Sequence, residues 1–222
     1  MLLTWPTLRC ARIYSSADNS PMLDRFAIAL LRPPISTLAR GLVRVGMGAN
    51  TVTLVGFSIG MFAAFLIANE AYIAGAAAIL VSRLFDGLDG AVARLTTPTD
   101  AGGFLDIALD FLFYASIPLA FALADPLGHA LPAAVLLAAF IGTGSSFLAF
   151  AVLAAKRNLP NLDFPDKSFY FLGGLTEATE TLLFFVAMCV WPEHFAMLAY
   201  AFALMCTITI ATRLWWGWRT FQ

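Results

Sequence analysis

Apolar residues fill six stretches of the chain, and short polar breaks separate them. Each stretch is close to the roughly 20 apolar residues that an α-helix needs to cross a bilayer. The pattern therefore predicts an all-α integral membrane protein with six transmembrane helices in a domain spanning residues 49–222. The predicted spans are 51–69, 71–95, 103–124, 130–155, 171–191 and 194–216.

The N-terminal part of the chain differs from this pattern. Residues 1–21 are mixed and polar, without the continuous apolar core of a signal peptide, and Met22 offers an alternative start. We expect a poorly ordered or over-extended N-terminus there. Residues 22–48 mix apolar residues with arginines around Pro33 and Pro34, which predicts a juxtamembrane amphipathic segment at the membrane surface. A solvated basic linker is the alternative.

Composition narrows the class of protein. Hydrophobic residues make up 60% of the 222 residues and charged residues only 12%, whereas soluble domains are about 25% charged. This excludes a soluble or disordered protein. The formal net charge of -1 gives no basic surface for nucleic acid. Cys10, Cys189 and Cys206 form neither a zinc motif nor a disulfide framework.

Positive residues predict the orientation, because Lys and Arg concentrate at cytoplasmic ends. With the N-terminus inside, the cytoplasmic side receives Arg94, the loop with Lys156, Arg157 and Lys167, and the C-terminal end. The loops on the other side, at residues 69–70, 125–129 and 192–194, contain no Lys or Arg. Both termini are therefore predicted to be cytoplasmic.

Four aspartates interrupt the second and third spans. Asp86 and Asp89 are three residues apart, and Asp106 and Asp110 are four apart, so each pair lies on one helical face. Because the two spans are antiparallel, both pairs are expected at similar depth. Four clustered carboxylates repel unless cations neutralise them, and oxygen ligands without His or Cys favour Mg²⁺, Mn²⁺ or Ca²⁺. Mg²⁺ and Mn²⁺ commonly bridge phosphate oxygens, so the substrate is expected to carry phosphates.

The segment DGLDGAVARLTTPTDAGGFLDIALD, residues 86–110, resembles the signature of the CDP-alcohol phosphotransferase family, written DxxDGxxAR, a spacer, then GxxxDxxxD. The fixed positions of that signature are Asp86, Asp89, Gly90, Ala93, Arg94, Gly102, Asp106 and Asp110. Seven residues separate Arg94 from Gly102, where eight are common. Choosing Gly103 restores eight but spoils the spacing to Asp106, so Gly102 is retained.

The resemblance implies an enzyme of phospholipid biosynthesis that transfers a phosphate-linked group from a CDP-alcohol, typically CDP-diacylglycerol, to an acceptor hydroxyl and releases CMP. It further implies two divalent ions, Mg²⁺ or Mn²⁺, held by the aspartates, with Asp110 near the metals as the general base. Gly90, Ala93 and Arg94 would contact the CDP moiety. A homodimer in the bacterial cytoplasmic membrane, with a cytoplasmic active site, is also expected.

Weaker candidates lie outside the signature. Asn50 and Thr53 resemble an NxxT element of the family near the nucleotide, and simple helix N-capping by Asn50 is the alternative. Arg83, one turn before Asp86, is expected to pair with an aspartate or to meet an anionic acceptor. Three further charged residues are candidates for the acceptor site, with structural roles as the alternative: Glu177, Glu180 and Arg213.

Two other protein classes also place carboxylates in membrane helices. Intramembrane prenyltransferases bind a prenyl diphosphate through metals, but they do not account for the DGxxAR element and its spacing. Ion-coupled transporters often contain internal repeats, and none is visible here. The acceptor stays open between glycerol 3-phosphate, an inositol phosphate, serine and another amino alcohol, because the sequence between Asp106 and Asp110 departs from the forms typical of phosphatidylglycerophosphate and phosphatidylserine synthases.

Overall fold

A computed structural model describes residues 35–157, 176 and 178–222. Within these residues the regular structure is helical, as the sequence predicts, and no strand occurs. A short helix α1 covers residues 35–44, and a 3₁₀ turn, Pro192–His194, precedes the last helix. The remaining helices are α2 (Ala49–Ala68), α3 (Tyr72–Leu95), α4 (Asp100–Ala124), α5 (Pro126–Lys156), α6 (Ala178–Val190) and α7 (Phe195–Phe221).

Four helical segments are long and apolar enough to cross a membrane, namely α2, α4, α5 and the segment Pro192–Phe221 that contains α7. The protein is therefore an integral membrane protein. The full count of six spans stays a prediction. Charged residues of the aspartate motif interrupt the apolar sequence of α3, and α6 is described over 13 residues.

Helices α4 and α5 begin before the apolar stretches from which they were predicted. The side chain of Thr99 accepts a hydrogen bond from the Gly102 amide at 3.1 Å, and Asp125 Oδ1 accepts one from the Gly128 amide at 3.0 Å. Such caps satisfy backbone donors at a helix N-terminus. Polar residues therefore belong to the first turn of each helix, and Asp125 alone separates α4 from α5.

Helix packing brings the two aspartate-bearing helices beside α2. Helix α2 packs against α3 and α4, while α5 packs against α4 and α7, and α6 packs against α3. The main core contains fully buried aromatic rings, including Phe113, Phe121, Phe185 and Phe202. Close packing of this kind holds α3 and α4 at fixed rotations about their axes.

Glycines on α2 allow the close approach of α3 and α4. A Cβ on Gly56 would lie 2.9 Å from the Cβ of Phe85, and one on Gly60 would lie 2.5 Å from a ring carbon of Phe113. Small residues at helix contacts are typical of membrane proteins, in which backbones pack closely without a hydrophobic drive.

Helix α1, the described part of the juxtamembrane segment, packs on α2 and α3. Ala39 of α1 is fully buried in a cluster with Val52, Leu88 and Val92. Residues 1–34 lie outside the described residues, as do the loop with Lys167 and the beginning of the fifth predicted span. A position of α1 at the membrane surface stays a prediction.

Candidate active site

A pocket of about 220 Å³ lies between α2, α3 and α4. Its wall contains all four aspartates of the sequence motif, one arginine, and residues of α2 that face them. The lining residues are Thr53, Gly56, Phe57, Arg83, Asp86, Asp89, Asp106, Leu109 and Asp110. The two aspartate pairs, which come from different helices, therefore meet in one place.

Three of the carboxylates are close enough to share a metal ion. One oxygen each from Asp86, Asp106 and Asp110 lies within 4.8 Å of the others. Asp89 lines the same pocket but is more deeply placed, with 6% of its surface exposed, and its Oδ2 atom is buried without a hydrogen-bond partner. A buried carboxylate oxygen of this kind is costly unless something neutralises it. The donor set fits Mg²⁺ or Mn²⁺, which prefer carboxylate oxygens.

Arg83 extends into the carboxylate cluster from α3. Its Nη1 donates to Asp110 Oδ1 at 2.8 Å and lies 3.4 Å from Asp86 Oδ1. The guanidinium carbon lies 4.0 Å from the centre of the Phe113 ring, and 13% of the side chain is exposed. Of the two roles considered from the sequence, the structure contains the pairing with aspartate.

Phe113 was not among the residues singled out from the sequence. Its ring supports Arg83 on one side and contacts the position where a Cβ on Gly60 would lie. The only sequence signal was the spacing of Gly56 and Gly60, which puts two small residues on one face of α2. That signal indicates close packing, not the identity of the ring that fills the gap.

Asn50 lies near the start of α4, although the two residues are far apart in sequence. A Cβ on Gly102 would lie 2.8 Å from Asn50 Oδ1 and 3.1 Å from Thr99 Oγ1. The N-cap of α2 is Gly48, so the alternative of N-capping by Asn50 is wrong: Asn50 follows the cap by two residues. Thr53 is 9% exposed, lines the pocket, and donates to the Ala49 carbonyl at 3.1 Å.

The other signature residues occupy the end of α3. Gly90 and Ala93 are partly buried, and Arg94 is exposed. A Cβ on Gly90 would lie 3.5 Å from Arg94 Nη1, so the Arg94 side chain turns back along the helix toward Gly90. This puts the guanidinium beside Gly90.

The candidate acceptor residues of α6 and α7 do not join the cluster. Glu180 and Arg213 are not among the described residues that line the pocket. Arg213 instead donates to the Thr143 carbonyl of α5 at 3.1 Å and lies near the Phe147 ring. Glu177 lies outside the described residues.

Comparison with known proteins identifies the class to which this pocket belongs. The CDP-alcohol phosphatidyltransferase family matches residues 47–215, a range that includes every residue lining the pocket. The chain belongs to the CDP-alcohol phosphatidyltransferase family. It is accordingly an enzyme, and the resemblance noted in the sequence is confirmed. Family membership favours the transferase over the prenyltransferase and transporter alternatives.

Two curated relatives differ in how much of the chain they match. Inner membrane protein YnjF of Escherichia coli is 51% identical over 201 residues, which cover 90% of this chain and 98% of that protein. Archaetidylinositol phosphate synthase of Methanothermobacter thermautotrophicus is 40% identical over 95 residues, or 42% of this chain and 47% of that protein. The first likeness extends over nearly the whole chain, and the second over less than half.

Solved structures of one further protein share the fold. The phosphatidylinositol phosphate synthase of Mycobacterium tuberculosis with CDP-DAG bound has a TM-score of 0.61 and 24% identity, covering 83% of this chain and 93% of that one. Its complex with manganese and citrate gives a TM-score of 0.62 at the same identity, covering 83% and 88%. At this identity the likeness shows the fold alone.

Proposed function

We propose that this enzyme transfers a phosphatidyl group from CDP-diacylglycerol to the hydroxyl of a small polar alcohol and releases CMP. The observation that carries the proposal is the meeting of all four motif aspartates in one pocket between α2, α3 and α4. A pocket bordered by apolar helices suits a substrate with a polar diphosphate and two acyl chains. The homologue that was solved with CDP-DAG bound supports this choice of donor.

The carboxylates would hold two divalent ions. Asp86, Asp106 and Asp110 form the compact set of oxygens, and the unpartnered Oδ2 of Asp89 adds a fourth ligand. Bound Mg²⁺ or Mn²⁺ would supply Lewis-acid stabilisation of the negative charge on the diphosphate and on the departing CMP. The manganese complex of the same homologue supports this assignment.

Asp110 would act as the general base. Arg83 binds its Oδ1 atom at 2.8 Å, so the second oxygen is the one available to take the proton from the acceptor hydroxyl. The acceptor oxygen then forms a bond to the phosphorus that carries the diacylglycerol. The bond from that phosphorus to the CMP oxygen breaks, and CMP leaves with the electron pair.

The signature residues around the aspartates would bind the nucleotide end of the donor. Gly90 and Ala93 leave room beside α3, and Arg94 turns back over Gly90, where a guanidinium suits a phosphate. Asn50 and Thr53 would contact the same moiety from α2. Glu180 and Arg213, together with Glu177, are kept as candidates for acceptor contacts outside the lining of the carboxylate pocket.

The acceptor is the least constrained part of the proposal. An inositol phosphate is the first candidate, because the partial relative from Methanothermobacter is an archaetidylinositol phosphate synthase. Glycerol 3-phosphate, serine and other amino alcohols are the alternatives.

The name of the E. coli relative supports a location of the protein in the bacterial inner membrane. We also propose six spans, cytoplasmic termini, a cytoplasmic active site and a homodimer.

The test is CMP release by the purified protein in mixed micelles of detergent and CDP-diacylglycerol. Reactions contain Mg²⁺ or Mn²⁺ and one acceptor each: inositol 1-phosphate, glycerol 3-phosphate, serine or ethanolamine. We expect release that requires one acceptor and that stops with chelator. No release with any acceptor from folded protein would overturn the proposal.

Asp110→Asn tests the base assignment directly. General-base catalysis contributes about 10²–10⁴-fold, so turnover should fall by that amount while binding of CDP is retained. Asp125→Asn is the matched control, because it removes a carboxylate at the other end of α4 and keeps a residue type suited to capping. Near-normal turnover in Asp110→Asn would remove the base assignment.

A further inference from the structure

One positive charge sits inside the carboxylate cluster. Arg83 Nη1 lies 2.8 Å from Asp110 Oδ1 and 3.4 Å from Asp86 Oδ1. A single nitrogen thus lies between oxygens of two carboxylates that also belong to the three-aspartate metal set. Among the described residues that line the pocket, Arg83 is the only Lys or Arg.

This position conflicts with a metal that uses the same oxygens. Mg²⁺ sits about 2.0–2.1 Å from each ligand oxygen, so an ion held by Asp86 Oδ1 and Asp110 Oδ1 would come very near to Nη1. Two positive groups at that separation repel each other. The guanidinium and the metal therefore compete for Asp110.

The guanidinium has contacts that do not depend on the carboxylates. Its carbon lies 4.0 Å from the Phe113 ring centre and 5.6 Å from that of Tyr114, and Nη2 lies 3.5 Å from Ser82 Oγ. The Nε atom is buried without a hydrogen-bond partner, so the side chain does not use its full set of donors in the observed arrangement. Arg83 can leave Asp110 while its charge stays over the aromatic rings.

We infer that Arg83 is a built-in counter-cation of the carboxylate cluster, which divalent metal displaces from Asp110 and which therefore lowers the metal affinity of the site. The inference rests on the proposed function, because it takes the aspartates as metal ligands. Without metal, Arg83 limits the repulsion among the four carboxylates. With metal, Arg83 releases Asp110 Oδ1 to the ion, so this oxygen becomes a metal ligand only in the loaded site, while the second oxygen remains the proposed base. Arg83 is thus a positioning residue for Asp110.

The test is the affinity for Mn²⁺, measured on the purified full chain without substrate. The electron paramagnetic resonance signal of free Mn²⁺ gives the apparent Kd. Arg83→Met removes the charge but keeps a flexible apolar stem that packs on Phe113, whereas Arg83→Lys keeps the charge. Arg219→Met is the matched control, because it removes an exposed arginine at the end of α7.

Loss of the competing charge should tighten Mn²⁺ binding by at least about fivefold in Arg83→Met, with changes within about twofold in Arg83→Lys and Arg219→Met. Arg83→Gln is the second charge-free variant if Arg83→Met does not fold, and the same tightening is expected for it. Unchanged or weaker Mn²⁺ binding in a folded charge-free variant would overturn the inference.

The outcome also separates this inference from the proposed function. If the wild-type protein binds no Mn²⁺, the proposed metal site itself fails. If the wild-type protein binds Mn²⁺ but the charge-free variants bind it no more tightly, the metal site stands and the role of Arg83 fails.

Discussion

Two neighbouring glycines in the first turn of α4 allow the contact between α2 and α4 to be tested with an internal control. A Cβ on Gly102 would lie 2.8 Å from Asn50 Oδ1 and 3.1 Å from Thr99 Oγ1, whereas a Cβ on Gly103 meets nothing within 4 Å. Neither glycine has a positive φ. Both Gly→Ala changes therefore gain the same backbone term, about 0.5–1 kcal/mol in favour of the helix.

The difference between the two variants reports the crowding of Asn50 and, less strongly, of the capping Thr99 hydroxyl. Ordinary van der Waals contact begins at 3.4 Å, so the amide oxygen of Asn50 has to retreat by about 0.6 Å. Asn50 is exposed, and its amide is the far end of a flexible side chain, so the cost to stability is small. The shift should instead weaken the proposed contact between Asn50 and CDP, because a displacement of 1 Å in a positioning group changes rates by about 100-fold.

We therefore expect Gly102→Ala to raise the KM for CDP-diacylglycerol roughly tenfold, which is about 1.4 kcal/mol of binding free energy. Gly103→Ala should leave KM unchanged and raise the thermal midpoint slightly. The assay is CMP release at saturating acceptor over a range of donor concentrations. Equal KM values in the two variants, or a larger effect from Gly103→Ala, would refute the assignment of Gly102 as the glycine of the signature.

Two further predictions concern contacts between helices. Gly60→Ala forces a Cβ to within 2.5 Å of the buried Phe113 ring, so it should lower the free energy of unfolding by about 1–3 kcal/mol. The measurement is the thermal midpoint, which should fall below that of the control Gly41→Ala, because nothing lies within 4 Å of a Cβ on Gly41. Arg157→Ala removes a hydrogen bond of 2.6 Å from Nη2 to the Phe221 carbonyl. Amide hydrogen exchange should therefore accelerate in the last turn of α7 and stay unchanged in α3. Equal exchange rates in the last turn of the variant and the wild-type protein would show that this bond does not hold the helix end.

The sequence predicted the helical class and most helix positions, because membrane spans require long apolar stretches whatever their tertiary contacts. Helix ends were less predictable. Thr99 and Asp125 are polar residues that looked like loop residues but cap α4 and α5. Periodicity of apolar residues cannot detect a first turn that is polar, so α4 was predicted to start three residues late.

The convergence of the four aspartates was predictable from spacing, because a helical face is fixed by residue number and two adjacent antiparallel helices meet at one level. Residue spacing does not determine in the same way which aspartate pairs with Arg83. Pairing with Asp86, one turn along α3, follows from sequence, but the shorter contact is with Asp110 on α4. That contact depends on the rotation of α4 about its axis, which the packing of Phe113 against Gly60 and Arg83 sets.

The rotation of α3 is set by a second contact, made through the backbone of α2. The hydroxyl of the fully buried Ser82 donates to the Gly56 carbonyl at 2.7 Å. This bond is possible only because Gly56 has no side chain between the helices, since a Cβ there would lie 2.9 Å from Phe85 Cβ. Ser82 immediately precedes Arg83 and lies one turn before Asp86. The same close contact between α2 and α3 that fixes Ser82 therefore aims the arginine and the first aspartate of the signature at α4. Carboxylates presented by rigid helices in this way keep their geometry better than carboxylates on loops, which is what a site built from four mutually repelling charges requires.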